Sequence, residues 1–140
     1  MKLVKIIGHP VLVMSLFSLV IIEGEHFGGF YILYLFFGLT YFAPFAIAGL
    51  VGIAALIIGN NLSSERRLIK SYLYLVGWLL LMASYLMFFQ NSKNNHRETF
   101  ETTGPIVSFV LFAISSICFL VNTFQLLIKA NGKQPKSLVA

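Results

Sequence analysis

Two short clusters hold most of the side chains able to bind a metal or move a proton. The first reads Glu23-Gly24-Glu25-His26, and the second contains His96, Arg97, Glu98 and Glu101. Imidazole and carboxylate together ligate zinc and similar divalent ions, and a His–Glu pair can relay protons. Glu23, Glu25, His26, His96 and Glu98 are therefore the candidate metal ligands, provided that the two segments meet. No H-E-x-x-H or comparable helical spacing accompanies them, so spacing alone does not assemble a site. A rim of solvated acids paired with Lys93 and Arg97 accounts for the same residues, at about 0–1 kcal/mol for each exposed pair. The sequence shows no catalytic set and no cofactor motif.

A third candidate is apolar. Phe27, Phe30, Tyr34, Phe37, Tyr41 and Phe45 follow steps of three and four, which on a continuous helix puts them on one face. Phe30, Tyr34, Phe37 and Tyr41 are the candidate wall of a groove for a flat or isoprenoid ligand, a quinone or a lipid tail. Lipid-facing packing with an outer aromatic belt explains the stripe as well. His9, just before Pro10, is the one imidazole inside an apolar segment. It is expected to snorkel or to bond a carbonyl that the proline frees.

The elements that must position these residues are membrane helices. Of 140 residues, 58% are hydrophobic and 11% charged, whereas a soluble domain carries about 25% charged residues. No acid or base other than tyrosine occurs between His26 and Glu65 or from Ser71 to Ser92. The same holds from Thr102 to Ile128, apart from the single cysteine, Cys118. Such runs read as membrane spans. The expected fold is an all-α integral membrane protein, a four-transmembrane-helix bundle with spans near 3–22, 27–59, 72–89 and 105–128. These form one domain over 1–130, followed by a short polar tail, 131–140. Lys2, Lys5 and the apolar stretch after them resemble a secretory signal. No small-residue cleavage pattern precedes Glu23, so the segment is expected to stay as a helix.

The second run, 27–59, is too long for one straight crossing: 33 residues make a helix of about 50 Å against a hydrocarbon core of about 30 Å. A bend near Pro44 is expected, with the excess bent or lying at the interface. Small residues follow it, Ala46, Ala48, Gly49, Gly52, Ala54 and Ala55, which allow close helix approach in lipid. Ser108, Ser115 and Asn122 repeat every seven residues, as do Gly77 and Ser84, and Gly8 and Ser15. That period keeps one stripe facing its neighbours in a left-handed bundle. Ala48, Gly52, Gly77, Ser84, Ser108, Ser115 and Asn122 are thus the expected packing positions. Asn122 and Gln125 are the inner-end candidates should the stripe line a polar path.

Lysine and arginine set the orientation. Lys2, Lys5, Arg66, Arg67, Lys70, Lys129, Lys133 and Lys136 fall on one side, and Lys93 and Arg97 on the other. Both termini are therefore expected in the cytoplasm, with a bacterial inner (plasma) membrane as the default location. The basic residues sit at span ends and form no amphipathic stripe, so nucleic-acid binding is excluded. No charge lies near the middle of any span, which argues against ion-coupled transport. The lipid bilayer is the expected environment. Two function classes remain. One is an accessory or assembly subunit that packs against a larger membrane partner, or a homo-oligomer. The other is a binder, carrier or passive conductor of an apolar ligand or small solute. A membrane enzyme at the outer Glu/His rim ranks third.

Overall fold

The proline residues and the outward apolar faces largely decide where this chain bends and what it exposes. The computed structural model describes residues 2–23, 28–63, 65–91 and 101–131, and 83% of the described residues are helical. The elements are α1 (Lys2–Ile7), α2 (Pro10–Ser18), β1 (Ile21–Ile22), β2 (Gly29–Phe30), α3 (Tyr31–Thr40), α4 (Pro44–Asn61), α5 (Arg67–Asn91) and α6 (Thr103–Asn131). Three helices are long and apolar enough to cross a membrane, Pro44–Asn61, Arg67–Gln90 and Thr103–Ala130, and α3 is a shorter apolar helix. The first expected span departs from a single helix. It is two helices meeting at Gly8-His9, followed by a two-residue strand that pairs antiparallel with β2, Ile21 opposite Phe30.

The second expected span is two helices as well. Pro44 opens α4 at its first turn, where a missing N–H leaves nothing unsatisfied. The break before it is a Schellman turn. The Ala43 amide donates to the Gly38 carbonyl (2.9 Å) and the Phe42 amide to Leu39 (3.0 Å), with Phe42 at φ 52°. Glycine usually takes that left-handed position, and a side chain there costs about 1–2 kcal/mol. The turn folds α3 back onto α4, so that Leu35 touches Gly49 and Phe45 touches Gly38. The aromatic residues from Phe27 to Phe45 consequently share no single helix face. Phe30 ends β2, Tyr34 and Phe37 lie on α3, Tyr41 is in the turn, Phe45 is on α4, and Phe27 is outside the described residues.

Helices α4 and α5 form the tightest pair, running antiparallel along a glycine face. A Cβ on Gly52 would lie 3.0 Å from the Gly77 carbonyl oxygen, and one on Gly77 would lie 3.0 Å from that of Gly52. Such contact between backbones is the membrane form of helix association. Ala48 is half-buried beside that face, and Ala54 is exposed.

Above this crossing, Tyr31 is fully buried. Its ring centroid lies 4.5 Å from Tyr85, 5.2 Å from Phe17 and 5.2 Å from Phe88. The Phe17 and Phe88 rings meet Tyr31 edge-on, at 85° and 82°, and such pairs add about 0.5–1.5 kcal/mol beyond their burial. Ser84 donates its hydroxyl hydrogen to the Phe45 carbonyl (2.7 Å). The 2.9 Å contact between Tyr31 and Ser84 is therefore donated by the tyrosine. Tyr85 donates to the Phe17 carbonyl at the end of α2 (2.9 Å), satisfying a group that the helix terminus leaves open.

Phe42 is 79% exposed, so it holds its strained conformation without burying its ring in the protein. Phe42→Gly is expected to raise thermal stability in detergent by about 1 kcal/mol, and the β-branched Phe42→Val to lower it. A fall in the glycine variant would show that the ring contributes more than the strain costs.

Candidate functional site

The break between α1 and α2 begins with Gly8 and Pro10. Pro10 brings no N–H, so the helical ladder is interrupted and backbone groups need other partners, which inside a membrane only protein can supply. His9 acts as the N-cap of α2, its Nδ1 accepting from the Val11 amide at 3.4 Å. It is thus exposed and an acceptor for an open amide, so of the two roles expected from the sequence the bond to a freed carbonyl is not the one it makes. The Ile7 carbonyl, whose helical partner would be the Val11 amide, accepts from Ser115 Oγ at 2.7 Å. Asn122 Nδ2 donates to the carbonyls of Val4 (2.9 Å) and Gly8 (3.3 Å). Further along, the Ile21 amide donates to Ser108 Oγ at 3.1 Å.

The seven-residue repeat on α6 therefore faces one partner along its length, the α1–α2 segment. Gly8 makes the approach possible. A Cβ there would stand 2.5 Å from the Cys118 backbone carbon and 2.6 Å from Asn122 Nδ2. Ser15, the expected seam partner of Gly8, is exposed instead.

Beside this junction a cavity of about 260 Å³ opens between α1–α2, α5 and α6. From the first segment come Lys5, Gly8, His9 and Pro10, and from α5 Lys70 and Tyr74. Helix α6 supplies Phe119, Asn122, Thr123, Gln125, Leu126 and Lys129. Its lining includes three lysines and a histidine beside the apolar Pro10, Phe119 and Leu126, and no carboxylate is among these residues. The three lysines come from three different basic segments of the chain. Lys70 is held in place: its Nζ lies 3.4 Å from the carbonyls of Asn60 and Leu62, at the end of α4, and 5.6 Å above the Tyr74 ring. Lysine at a helix C-terminus complements the open carbonyls and the dipole. Lys5 and Lys129 are exposed.

The other sequence candidates fall elsewhere. Glu23 lies at the opposite end and accepts from Thr102 Oγ1 (2.5 Å), a contact that joins the stretch after β1 to the start of α6. Glu25, His26, His96 and Glu98 are outside the described residues. Among the described residues no three histidine, cysteine or acidic side chains converge as metal ligands. Of the groove candidates, Phe30, Phe37 and Tyr41 are exposed, and Tyr34 packs half-buried against Phe88 at 5.4 Å. Asn122 and Gln125 do line a cavity, but together with basic residues that the sequence presents only as orientation markers.

A sequence signal for this site does exist. Asn122, Gln125, Leu126 and Lys129 follow helical steps on α6, and Lys70 and Tyr74 are one turn apart on α5. Comparison with known protein families, with characterised proteins and with solved structures gives no match. The site is therefore read from its own geometry.

The backbone approach at Gly8 should tolerate no side chain. Gly8→Ala is expected to destabilise by about 1–3 kcal/mol. Gly104→Ala, whose Cβ would meet only the end of Ile21 at 3.8 Å, should be neutral or slightly stabilising. Asn122→Ala should cost about 1–2 kcal/mol by leaving the Gly8 carbonyl without its donor, while the Val4 carbonyl keeps the Gly8 amide at 2.9 Å. Thermal unfolding of the three variants in one detergent checks the ranking.

Proposed function

We propose that the chain is a four-crossing membrane protein, with both termini on the cytoplasmic side of a bacterial plasma membrane, that binds an amphiphilic ligand in its basic end cavity. The observation carrying this reading is the cavity itself: three lysines and no acid beside apolar side chains. Lysines drawn from α1, the start of α5 and the end of α6 line it together. Glu23 and Thr102 meet at the other end. That separation of basic and acidic segments is what the positive-inside rule expects of a protein with its basic end in the cytoplasm. The α1–α2 segment supports a fourth crossing, because it lies antiparallel along α6 from the Val4–Asn122 contact to Ile21–Ser108.

Lysines beside apolar side chains suit a ligand with an anionic head and a hydrocarbon body. Basic pockets between helices near the cytoplasmic surface recognise such headgroups. The binder or carrier reading therefore stands ahead of the accessory-subunit reading. One observation keeps the second alive, the turn at the opposite end, where Tyr41 and Phe42 are 84% and 79% exposed. That turn is an aromatic projection which a membrane-protein partner could receive.

Native mass spectrometry after gentle extraction separates the two. A reproducible small-molecule adduct, lost in Gln125→Trp where a large ring enters the cavity, is the expected result. A protein partner at fixed stoichiometry, released by Tyr41→Ala with Phe42→Ala and indifferent to Gln125→Trp, would replace the binder reading with the accessory one. For topology, single cysteines are introduced into a Cys118→Ser background. Impermeant maleimide added to intact cells should label Glu101→Cys and spare Ser63→Cys. The reverse pattern would overturn the orientation.

A further inference from the structure

We infer that the head which this cavity recognises is a phosphomonoester dianion, a chemistry presented by a lipid headgroup or by a soluble phosphate. The inference rests on the binder reading above and adds the ligand's charge and class. Lys5, Lys70 and Lys129 bring three positive charges to one cavity of about 260 Å³. A carboxylate or phosphodiester carries one negative charge and would leave most of that field unmatched. A phosphomonoester carries about −1.5 to −2 near neutral pH, together with three strong acceptor oxygens. The donors correspond in type: each ammonium offers several hydrogens, and lysine binds phosphate as a point charge.

The site is also partly organised before any ligand arrives. Lys70 is held by the Asn60 and Leu62 carbonyls and sits over the Tyr74 ring. One charge is thereby fixed, while exposed Lys5 and Lys129 are free to close on the head from two other helices. Asn122 turns its amide nitrogen to two backbone carbonyls, so it shapes the cavity wall and lends no charge. The cavity's place at the basic end suits a head in the cytoplasmic headgroup layer, where anionic lipid is attracted to lysine.

The test uses the full chain in nanodiscs of phosphatidylcholine alone or with a tenth of phosphatidic acid or phosphatidylglycerol, followed by native mass spectrometry of retained lipid. The variant is Lys5→Gln with Lys129→Gln, both exposed and outside the packing seam. Thermal unfolding of the double variant, expected at or slightly above wild type because two like charges are removed, confirms that it folds. Phosphatidic acid should be retained at least tenfold over phosphatidylcholine and severalfold over phosphatidylglycerol, and the double variant should lose that preference by tenfold or more.

Inorganic phosphate is the second probe. If millimolar phosphate fails to displace phosphatidic acid, the ligand is the lipid; if it displaces the lipid from wild type, the ligand is a soluble phosphate. Either result supports the phosphomonoester. Equal, lysine-dependent retention of phosphatidylglycerol and phosphatidic acid would overturn it while leaving the binder reading standing. Retention of no lipid, and no phosphate binding, that responds to Lys5→Gln with Lys129→Gln would overturn both.

Discussion

A backbone carbonyl or amide that a helix break leaves open has to find another partner, and in this chain side chains meet that demand where α1 meets α2. Pro10 prevents the N-terminal segment from being one continuous helix. Three side chains answer the interruption: His9 accepts the Val11 amide, Ser115 donates to Ile7, and Asn122 donates to Val4 and Gly8. Two of the three belong to α6, so the repair is also the contact that fastens the first segment to the last. The absence of a side chain at Gly8 lets the backbones close to the distance these bonds require. The cavity lies beside this junction because a broken helix does not fill its side of the bundle as an unbroken one does.

The same economy operates at the opposite end with different residues. There the chain folds back on itself at 41–43, and the Schellman bonds of Phe42 and Ala43 satisfy the last turn of α3 locally. Ser84 reaches across to the Phe45 carbonyl, and Tyr31 in turn donates to Ser84. A single serine thus ties α5 to the beginning of α4 and anchors the first residue of α3. Aromatic rings fill the space around it, whereas glycines fill the α4–α5 crossing. The division has a steric cause. Backbone contact needs residues without side chains, but the irregular space left by a folded-back helix needs large rigid ones.

Much of this architecture is legible in the residue pattern. Uncharged apolar runs locate α4, α5 and α6, and the excess length of the second run together with Pro44 locates its break. The heptad of Ser108, Ser115 and Asn122 identifies the face of α6 that carries interhelical bonds. Its partner is less legible, because the sequence cannot say that the α1–α2 break offers open carbonyls at just those levels. Steps of three and four from Phe27 to Phe45 mislead for a related reason: they describe one face only if the helix is unbroken, and the turn at 41–43 divides it. Ser15 fails likewise, since the phase of a helix does not survive an interruption at Gly8-His9. The cavity is hidden for a different reason. Its three lysines lie tens of residues apart, and each is explained by the rule that sets orientation, so nothing in the local pattern asks for more.

That double use of the lysines has a physical consequence. A basic residue at a span end is retained for topology wherever it stands on the helix circumference, since the rule counts charges and ignores the face they occupy. Lys5, Lys70 and Lys129 nevertheless converge on one cavity, together with polar Asn122 and Gln125, whereas orientation alone would be served as well by lysines pointing in unrelated directions. Convergence also has a cost, because like charges brought to one cavity repel one another. Lys70 reduces that cost by leaning on the α4 carbonyls and the Tyr74 ring, and an anion between the three would reduce it further. Ligand binding at this end would therefore stabilise the bundle at the junction where its backbone is least regular, coupling occupancy of the cavity to the packing of the α1–α2 segment against α6.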